Sequence, residues 1–431
     1  MEIENPNPVQ RAVVNALRKN IMLLNQDNKL KDIPVIHRVL LFTPSIRKHL
    51  DFQNLESMIK QYVSDASPLK ADLLRIIAKY IEMSVQVSET KVNSKDVVDY
   101  YLASILIYQL LTINRYDDCM ELITKVIHLF ESTGYMDKQK EYILCRIYTY
   151  LMVLYNHHYE IPSLLPTLLA SYRLGCLHNN RIVCSVLYNS ILRLYVHEKQ
   201  FLSASHFLQT AQFPNDVSDK QYVRYCYYKA LVATVLLDYA GAEHALFAIH
   251  KRLSDGSCVF AEEVAKLDIL VRLLTGGNPD LAQLPATRAT APYRDLAYVV
   301  MRGNLAAFRD VVQRKQTCFQ EDGLLRIVSR LHNTVIRIAL VKMAKSYSRI
   351  SMEEVASILQ LGNSEEARYT CMRNIRDGII QGRIEGDYFV MDNTEDSVTT
   401  SRPADLFSKK IAACLNLRKE IIKSRDRKSV V

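Results

Sequence analysis

One spacing constrains this chain more than any other. Tyr116-x-x-Cys119-x-x-x-Ile123 returns as Phe201-x-x-Ala204-x-x-x-Leu208 and as Tyr239-x-x-Ala242-x-x-x-Leu246: an aromatic, a small residue and an aliphatic. Residues three and four apart share one face of a helix. Tyr159 opens a degenerate fourth copy with Pro162 at the small position, so the aromatics lie 43, 42 and 38 residues apart. A period near 40 predicts stacked helical pairs in which the small residue lets two helices approach closely. Glycine usage agrees. At an average of roughly 7%, a chain this long would hold about 30 glycines; this one holds 12, with 12 prolines, in 431 residues. That is too few for the turns of an α/β enzyme or the hairpins of a β-sandwich. The length suits two or three domains or one solenoid.

The apolar pattern predicts helices throughout the first 340 residues. Val13, Val14, Leu17, Ile21 and Leu24 mark one helical face, and a second runs over Val35–Leu41 and ends at Pro44. The character changes near Lys345. Ser351-Met-Glu-Glu354 is a capping box that opens a short helix, closed by Leu361-Gly362-Asn363. Asn363-x-x-Glu366 opens a second helix running to about Arg376, which Asp377-Gly378 ends. Ile380-Gln-Gly-Arg-Ile384 and Tyr388-Phe-Val-Met391 then flank Gly386-Asp387, a two-residue hairpin signal. Helix, turn, helix and hairpin in that order predict a winged helix. A polar linker follows, and a last helix from Ala404 to about Lys423 carries Phe407, Ile411, Leu415 and Ile422 on one stripe.

The net charge is +9, but residues 401–431 hold nine bases against three acids. The remaining 400 residues carry too little positive charge for a dedicated nucleic-acid surface. Met1–Gln10 has no apolar core, so no secretory signal is expected. The apolar stretch Leu102–Ile113 is shorter than the ~20 residues that span a bilayer. Nine cysteines, odd in number and without a Cys-x-x-Cys pair, predict reduced thiols in the cytoplasm or nucleus.

No catalytic, cofactor or metal residue is assigned. His197-Glu198-Lys-Gln-Phe201 breaks the zincin pattern at its fifth position, and the adjacent His157 and His158 diverge on a helix. The phosphate-cradling glycine motifs and the Gly-x-Ser-x-Gly elbow are missing from the sequence. The second helix of the winged helix sets Glu365, Glu366 and Asp377 against Arg368, Arg373 and Arg376, and the hairpin sets Arg383 against Glu385 and Asp387. A phosphate-tracking surface should be basic throughout, so protein contact is favoured.

A helical array running into a winged helix and a closing helix resembles the PCI-domain family, scaffold subunits of large assemblies. Tyr347-Ser-Arg-Ile-Ser351, Ala356-x-x-Leu359-Gln-Leu361 and Ile375-Arg-Asp-Gly-Ile379 resemble its proteasome-lid branch. So do Arg302-Gly-Asn-Leu305-x-x-Phe308 and Leu331-His-Asn-x-Val335-Ile336. Upstream, Leu187-Tyr-Asn189, Leu192-Arg193-x-Tyr195, Phe213-Pro214, Tyr225-x-Tyr227-Tyr228, Asp238-Tyr-Ala-Gly-Ala242, Arg38-Val-Leu40 and Pro44-x-x-Arg47-Lys48-x-Leu50 extend the likeness in collinear order. The basic tail departs from it, since relatives often end in an acidic one.

The resemblance implies a mainly α fold, a TPR-like solenoid leading into a PCI domain, with boundaries expected at 1–222 (solenoid), 223–344 (helical part of the PCI domain), 345–392 (winged helix), 393–403 (linker) and 404–431 (C-terminal helix and basic tail). It implies a non-catalytic scaffold of the proteasome regulatory-particle lid in cytoplasm and nucleus. The partners implied are the non-ATPase regulatory subunits 6 and 8 and a small acidic disordered lid subunit, with neither nucleic acid nor membrane. The signalosome and a messenger-RNA export complex are the alternatives. Three surfaces are candidates: a winged-helix edge of Ile380, Ile384, Tyr388 and Val390; the stripe of Phe407, Ile411, Leu415 and Ile422; and a groove for an acidic, aromatic-containing peptide at Arg224, Tyr225, Tyr228 and Lys229. By ordinary burial habits the groove residues read first as a helix core with two solvated charges. The stripe either docks on a partner or folds back on its own winged helix.

Overall fold

The computed structural model describes residues 8–25, 32–64, 67–80, 96–133, 138–157, 164–214, 217–252, 259–282, 285–391 and 401–428. Tyr159, Pro162, Cys258 and residues 392–400 lie outside them. The chain divides into two units, Met1–Ser254 and Asp255–Val431.

Among the described residues the first unit is α1 (Pro8–Asn25), α2 (Asp32–Arg47), α3 (Phe52–Tyr62), α4 (Pro68–Ala78), α5 (Asp96–Thr112), α6 (Tyr116–Thr133), α7 (Lys138–His157), α8 (Leu164–Leu177), α9 (Arg181–His197), α10 (Phe201–Thr210), α11 (Asp219–Val235) and α12 (Tyr239–His250). One row of helices, α5, α7, α9 and α11, packs each on the next, and α6, α8, α10 and α12 each pack against a member of it. The repeat read from sequence supplies the contacts. Cys119, Ala204 and Ala242 are completely buried, Ile123 and Leu246 are buried, and Tyr116, Phe201 and Tyr239 are half-buried at the first position of their helices.

The turns between helices repeat as well. Arg115, Asn180, Gln200 and Asp238 donate their N–H to the carbonyls of Leu110, Gly175, Tyr195 and Ala233, five residues back, at 2.8–3.0 Å. The residue before each donor is left-handed: Asn114, Asn179, Lys199 and Leu237, with φ of 60°, 54°, 60° and 73°. This is the six-to-one closure that satisfies orphan carbonyls at a helix C-terminus. It explains how so few glycines suffice, since a left-handed position ordinarily given to glycine is filled here by Asn, Lys and even Leu.

The expectation that α2 ends at Pro44 fails. The helix runs on to Arg47. Proline lacks an N–H, so its helical partner, the Leu40 carbonyl four residues back, loses its intrahelical bond. Arg146 of α7 donates Nη2 to that carbonyl at 3.0 Å, and the Thr43 hydroxyl donates to Val39 O at 2.7 Å. A neighbouring helix thus supplies the donor that the proline removed.

The second unit contains α13 (Val259–Thr275), α14 (Ala291–Arg302), α15 (Leu305–Arg314), α16 (Gln316–Glu321), α17 (Leu325–Ser346), β1 (Arg349–Ser351), α18 (Met352–Leu359), α19 (Ser364–Arg376), β2 (Gly382–Glu385), β3 (Tyr388–Met391) and α20 (Arg402–Lys428). Helices α13, α14 and α15 pack against α17, whose Leu331 and Val335 are fully buried. The Arg302-Gly-Asn-Leu305 motif forms a corner. Gly303 is left-handed (φ +71°), a Cβ there would lie 3.0 Å from Ala339 N, and the Asn304 side chain accepts from Ala307 N at 3.2 Å. Lys266 is buried, donating to Glu263 (2.7 Å) and Asp322 (2.9 Å), and Asp322 also accepts from Tyr293 OH at 2.7 Å. These bonds tie α13 to α14 and to the end of α16. The strands make an antiparallel sheet of order β1-β3-β2. Sequence reasoning missed β1, because three residues are too few to show an alternating pattern. The last helix is longer than expected and continues through the basic tail to Lys428. No helix among the described residues is long and apolar enough to cross a membrane.

Two outcomes test this description. Leu237 is exposed, so its side chain contributes little packing, yet it occupies a left-handed conformation that costs a non-glycine residue about 1 kcal/mol. Leu237→Gly should therefore stabilise the first unit by up to about 1 kcal/mol in denaturant titrations. Asp99 of α5 is buried, and burial pushes its carboxyl up to about 6, with Asp96 adding to the rise and Ser67, Lys140 and Lys70 opposing it. A raised folded value means the protonated form is favoured by folding, so this contribution is complete below pH ~4 and is lost as pH rises through ~6. Asp99→Asn should be more stable than wild type at pH 7 by on the order of 2 kcal/mol, with the difference vanishing near pH 4.

Candidate protein interfaces

The winged helix is organised by its charges. Ser351 accepts from Glu354 N at 3.2 Å and its own N–H donates to Glu354 Oε2 at 3.4 Å, so the expected capping box forms. The second helix starts where Asn363-x-x-Glu366 placed it, with Asn363 at its N-cap position. Asn363 makes no side-chain cap, and Glu366 instead accepts from Gly362 N at 3.1 Å. Arg368 of α19 donates to Gly386 O (2.7 Å) and Asp387 (3.0 Å), tying the hairpin turn to the helix. Gly386 takes the positive φ that this turn demands (+60°).

The remaining arginines are also engaged: Arg376 at 3.3 Å and Arg373 at 4.0 Å share Asp377, Arg383 pairs with Glu385 at 2.7 Å, and Arg349 is stacked 4.1 Å over the Tyr388 ring. Tyr369 and Met372 stand exposed on α19 (69% and 46%). An apolar surface among neutralised charges suits a protein partner better than a phosphate backbone.

The four residues expected at the edge of the hairpin separate. Ile384 lies on β2, an outer strand, and is half-buried; Ile380 is buried just before that strand. Tyr388 and Val390 lie on β3, the central strand, whose backbone is paired on both sides. The unpaired edges belong to β2 and β1. The identity of the middle strand depends on β1, which the sequence did not disclose.

The groove residues separate too. Tyr225 is half-buried, its ring stacked on Phe213 at 4.3 Å and edge-on to Tyr188 at 5.6 Å. Tyr188 OH donates to Ala211 O at 3.1 Å, and Asn189 donates to Gln221 O at 2.9 Å, so the Leu187-Tyr-Asn189 motif holds the connection from α10 to α11. Beside this cluster opens a cleft of about 700 Å³ whose walls include Gln212, Phe213, Pro214, Tyr222, Tyr225 and Arg252. Arg252 lies 3.8 Å over the Tyr222 ring and pairs with Asp219 at 3.2 Å. Arg224, Tyr228 and Lys229 are not among the lining residues. Arg224 and Lys229 are exposed, while burial raises the Tyr228 hydroxyl, with Arg193 and Arg224 opposing it. The basic wall is therefore Arg252, which lies just past the end of α12 and outside the Tyr225 run, which is why the sequence did not point to it.

The third surface is α20. Residues 404–422 are exposed along their whole length, including Phe407, Ile411, Leu415 and Ile422 at 65%, 58%, 50% and 46%. Leu406, Leu417 and Ile421 widen the apolar surface beyond the stripe.

These features agree with comparisons across known proteins. Residues 9–297 match the family described as PSMD3-like, N-terminal TPR repeats, and residues 300–387 match the PCI domain. The chain is 30% identical to the Schizosaccharomyces pombe protein named "Probable 26S proteasome regulatory subunit rpn3", covering 96% of this chain and 86% of that one. It is 26% identical to the 26S proteasome non-ATPase regulatory subunit 3 of Dictyostelium discoideum, covering 97% and 88%. It is 25% identical to 26S proteasome non-ATPase regulatory subunit 3 homolog B of Arabidopsis thaliana, covering 98% and 90%. With a solenoid, a PCI domain and a collinear match over nearly its full length, the chain belongs to the PSMD3-like family of PCI-domain proteins.

Proposed function

We propose that this chain is a scaffold subunit of the lid of the 26S proteasome regulatory particle, acting in ubiquitin-dependent protein degradation without catalysis of its own. The observation that carries this reading is the match over 96% of the chain to a protein named as a 26S proteasome regulatory subunit. The neutralised winged helix supports protein contact over nucleic acid, which disfavours the export-complex reading. The neighbours are the non-ATPase regulatory subunits 6 and 8, met through the PCI domain, and a small acidic disordered subunit received beside Tyr225. The working compartments are the cytoplasm and nucleus. Domain roles follow the expected boundaries: 1–222 as solenoid, 223–344 and 345–392 as the PCI domain, and 404–431 as a docking helix.

Purifying a tagged chain from its own cells and identifying what accompanies it tests the reading. Lid subunits including 6 and 8 are expected; signalosome or RNA-export subunits in their place would overturn it. A salt titration of RNA binding by the isolated chain should show no steep slope.

Two variants test the surfaces. Ile384→Pro removes an N–H from the outer strand β2. Incorporation into the lid should be lost while the melting temperature of the first unit is unchanged; intact assembly would mean that this edge is not used. Ending the chain at Pro403 removes the exposed stripe, each of whose large side chains is worth roughly 1.5–3 kcal/mol when buried. The shortened chain should melt at the temperature of the full one yet fail to enter the lid. A lowered melting temperature with normal entry would instead mean that α20 folds back on its own domain.

A further inference from the structure

Cys176 at the end of α8 and Cys184 in the first turns of α9 face each other across the helical hairpin, their Sγ atoms 3.8 Å apart. The turn between them is the tight closure described above, with Asn180 N bound to Gly175 O at 2.9 Å, which sets the two helices close together. Gly175 contributes directly, since a Cβ at that position would lie 2.9 Å from Cys184 Sγ. The two thiols are unequal. Cys176 is exposed and Cys184 is buried. A cleft of about 450 Å³ opens on the pair, with Tyr172, Asn180, Arg181 and Phe213 also in its walls.

We propose that Cys176 and Cys184 form a dithiol modification site that closes to a disulfide on exposure to a hydroperoxide. Cys176 attacks as the accessible sulfur: an S–O bond forms to one peroxide oxygen, the O–O bond breaks, and the other oxygen departs as hydroxide, takes the Cys176 thiol proton and leaves as one water. Cys184 sulfur then attacks Cys176 sulfur: the S–S bond forms, the S–O bond breaks, and the departing hydroxide takes the Cys184 proton and leaves as a second water. Two thiols are thereby oxidised by two electrons, and one hydrogen peroxide is reduced to two waters. The order follows from access, because only Cys176 meets solvent; burial also pushes the Cys184 thiol up to about 12, which suits a resolving thiol and not a first nucleophile. Closing the gap from 3.8 Å to a bond of about 2.05 Å asks for a side-chain rotation and a small helix adjustment. The competing thiol is Cys145 of α7, half-buried and near enough to Cys184 to interact with it electrostatically.

The full chain carrying C318S and C414S, which remove two other exposed thiols, is titrated with hydrogen peroxide and mapped without reduction. Trypsin cuts after Arg181, so the two cysteines fall on separate peptides and their linkage is read directly by mass. Expected is one linked pair, 176 with 184, the loss of two titratable thiols per chain, and full recovery with dithiothreitol. Adding C184S should leave Cys176 as a sulfenic acid that dimedone traps, whereas adding C176S should leave Cys184 reduced at the same peroxide dose. Over-oxidation of Cys176 to sulfinic acid in the C318S/C414S chain without the linked pair, or linkage of Cys184 to Cys145, overturns the proposal.

Discussion

The structure of the first unit depends on how closely two helices can approach at one small residue. Cys119, Ala204 and Ala242 are each completely buried where a longer side chain would force the helices apart. The aromatic three residues earlier then lies half-buried at the start of the helix, and the aliphatic four residues later continues the same face, buried or half-buried. A single helical pair cannot bury this face alone. Stacking α5, α7, α9 and α11 in one row gives every pair a neighbour and makes the core continuous. An Ala→Leu change at such a position would act through the whole row, because the displaced helix is itself a wall of the next pair.

Close stacking leaves many helix ends near one another, so the backbone groups at those ends must find partners within a few residues. The repeated six-to-one turn meets that need with no side chain, which is why the residue at its left-handed position can be Asn, Lys or Leu without loss of the motif. Where the helix is interrupted internally, at Pro44, a side chain does enter. Arg146 reaches the Leu40 carbonyl, and the cost of an interior proline is offset by a guanidinium already placed between α2 and α7. Arg47, three residues after the proline, donates to Tyr150 OH at 2.7 Å and stacks 3.6 Å over Tyr108, so the continued turn of α2 is anchored to α5 and α7. The Pro44-x-x-Arg47 pattern thus has a mechanical meaning: the proline and the arginine that secures the turn after it belong together.

Much of this was legible in the sequence because helical periodicity survives in a single chain. The face of Val13, Leu17, Ile21 and Leu24 is buried as its spacing demands, the Ser351 capping box forms, and Gly378 carries the positive φ expected of a helix terminator. What the sequence hid has a common cause. The strand β1, the central position of β3, the Arg146 bond to Leu40 and the pairing of Arg252 with Tyr222 are all contacts between segments far apart in the chain, and no local period encodes them. Asn363 illustrates the converse. Its spacing to Glu366 marks the start of α19, yet the Asn363 side chain makes no cap and Glu366 bonds Gly362 N instead, a choice of partner that spacing does not encode.

Charge is distributed so that each surface of the second unit has a different character. In the winged helix every basic group described above has an acidic, carbonyl or aromatic partner close by, which removes the long-range field that would draw a polyanion and leaves Tyr369 and Met372 as the exposed features of α19. On α20 the bases Lys409, Lys410, Arg418 and Lys419 alternate with an exposed apolar surface. An amphipathic helix with a basic side gains its long-range attraction from charge and its residence from apolar burial, so it can find a partner quickly and then hold it. The winged helix lacks the first of these and offers a partner only shape and the unpaired edges of β1 and β2. Two surfaces with such different physics can engage two partners without competing, and that independence is what a scaffold in a many-subunit assembly requires.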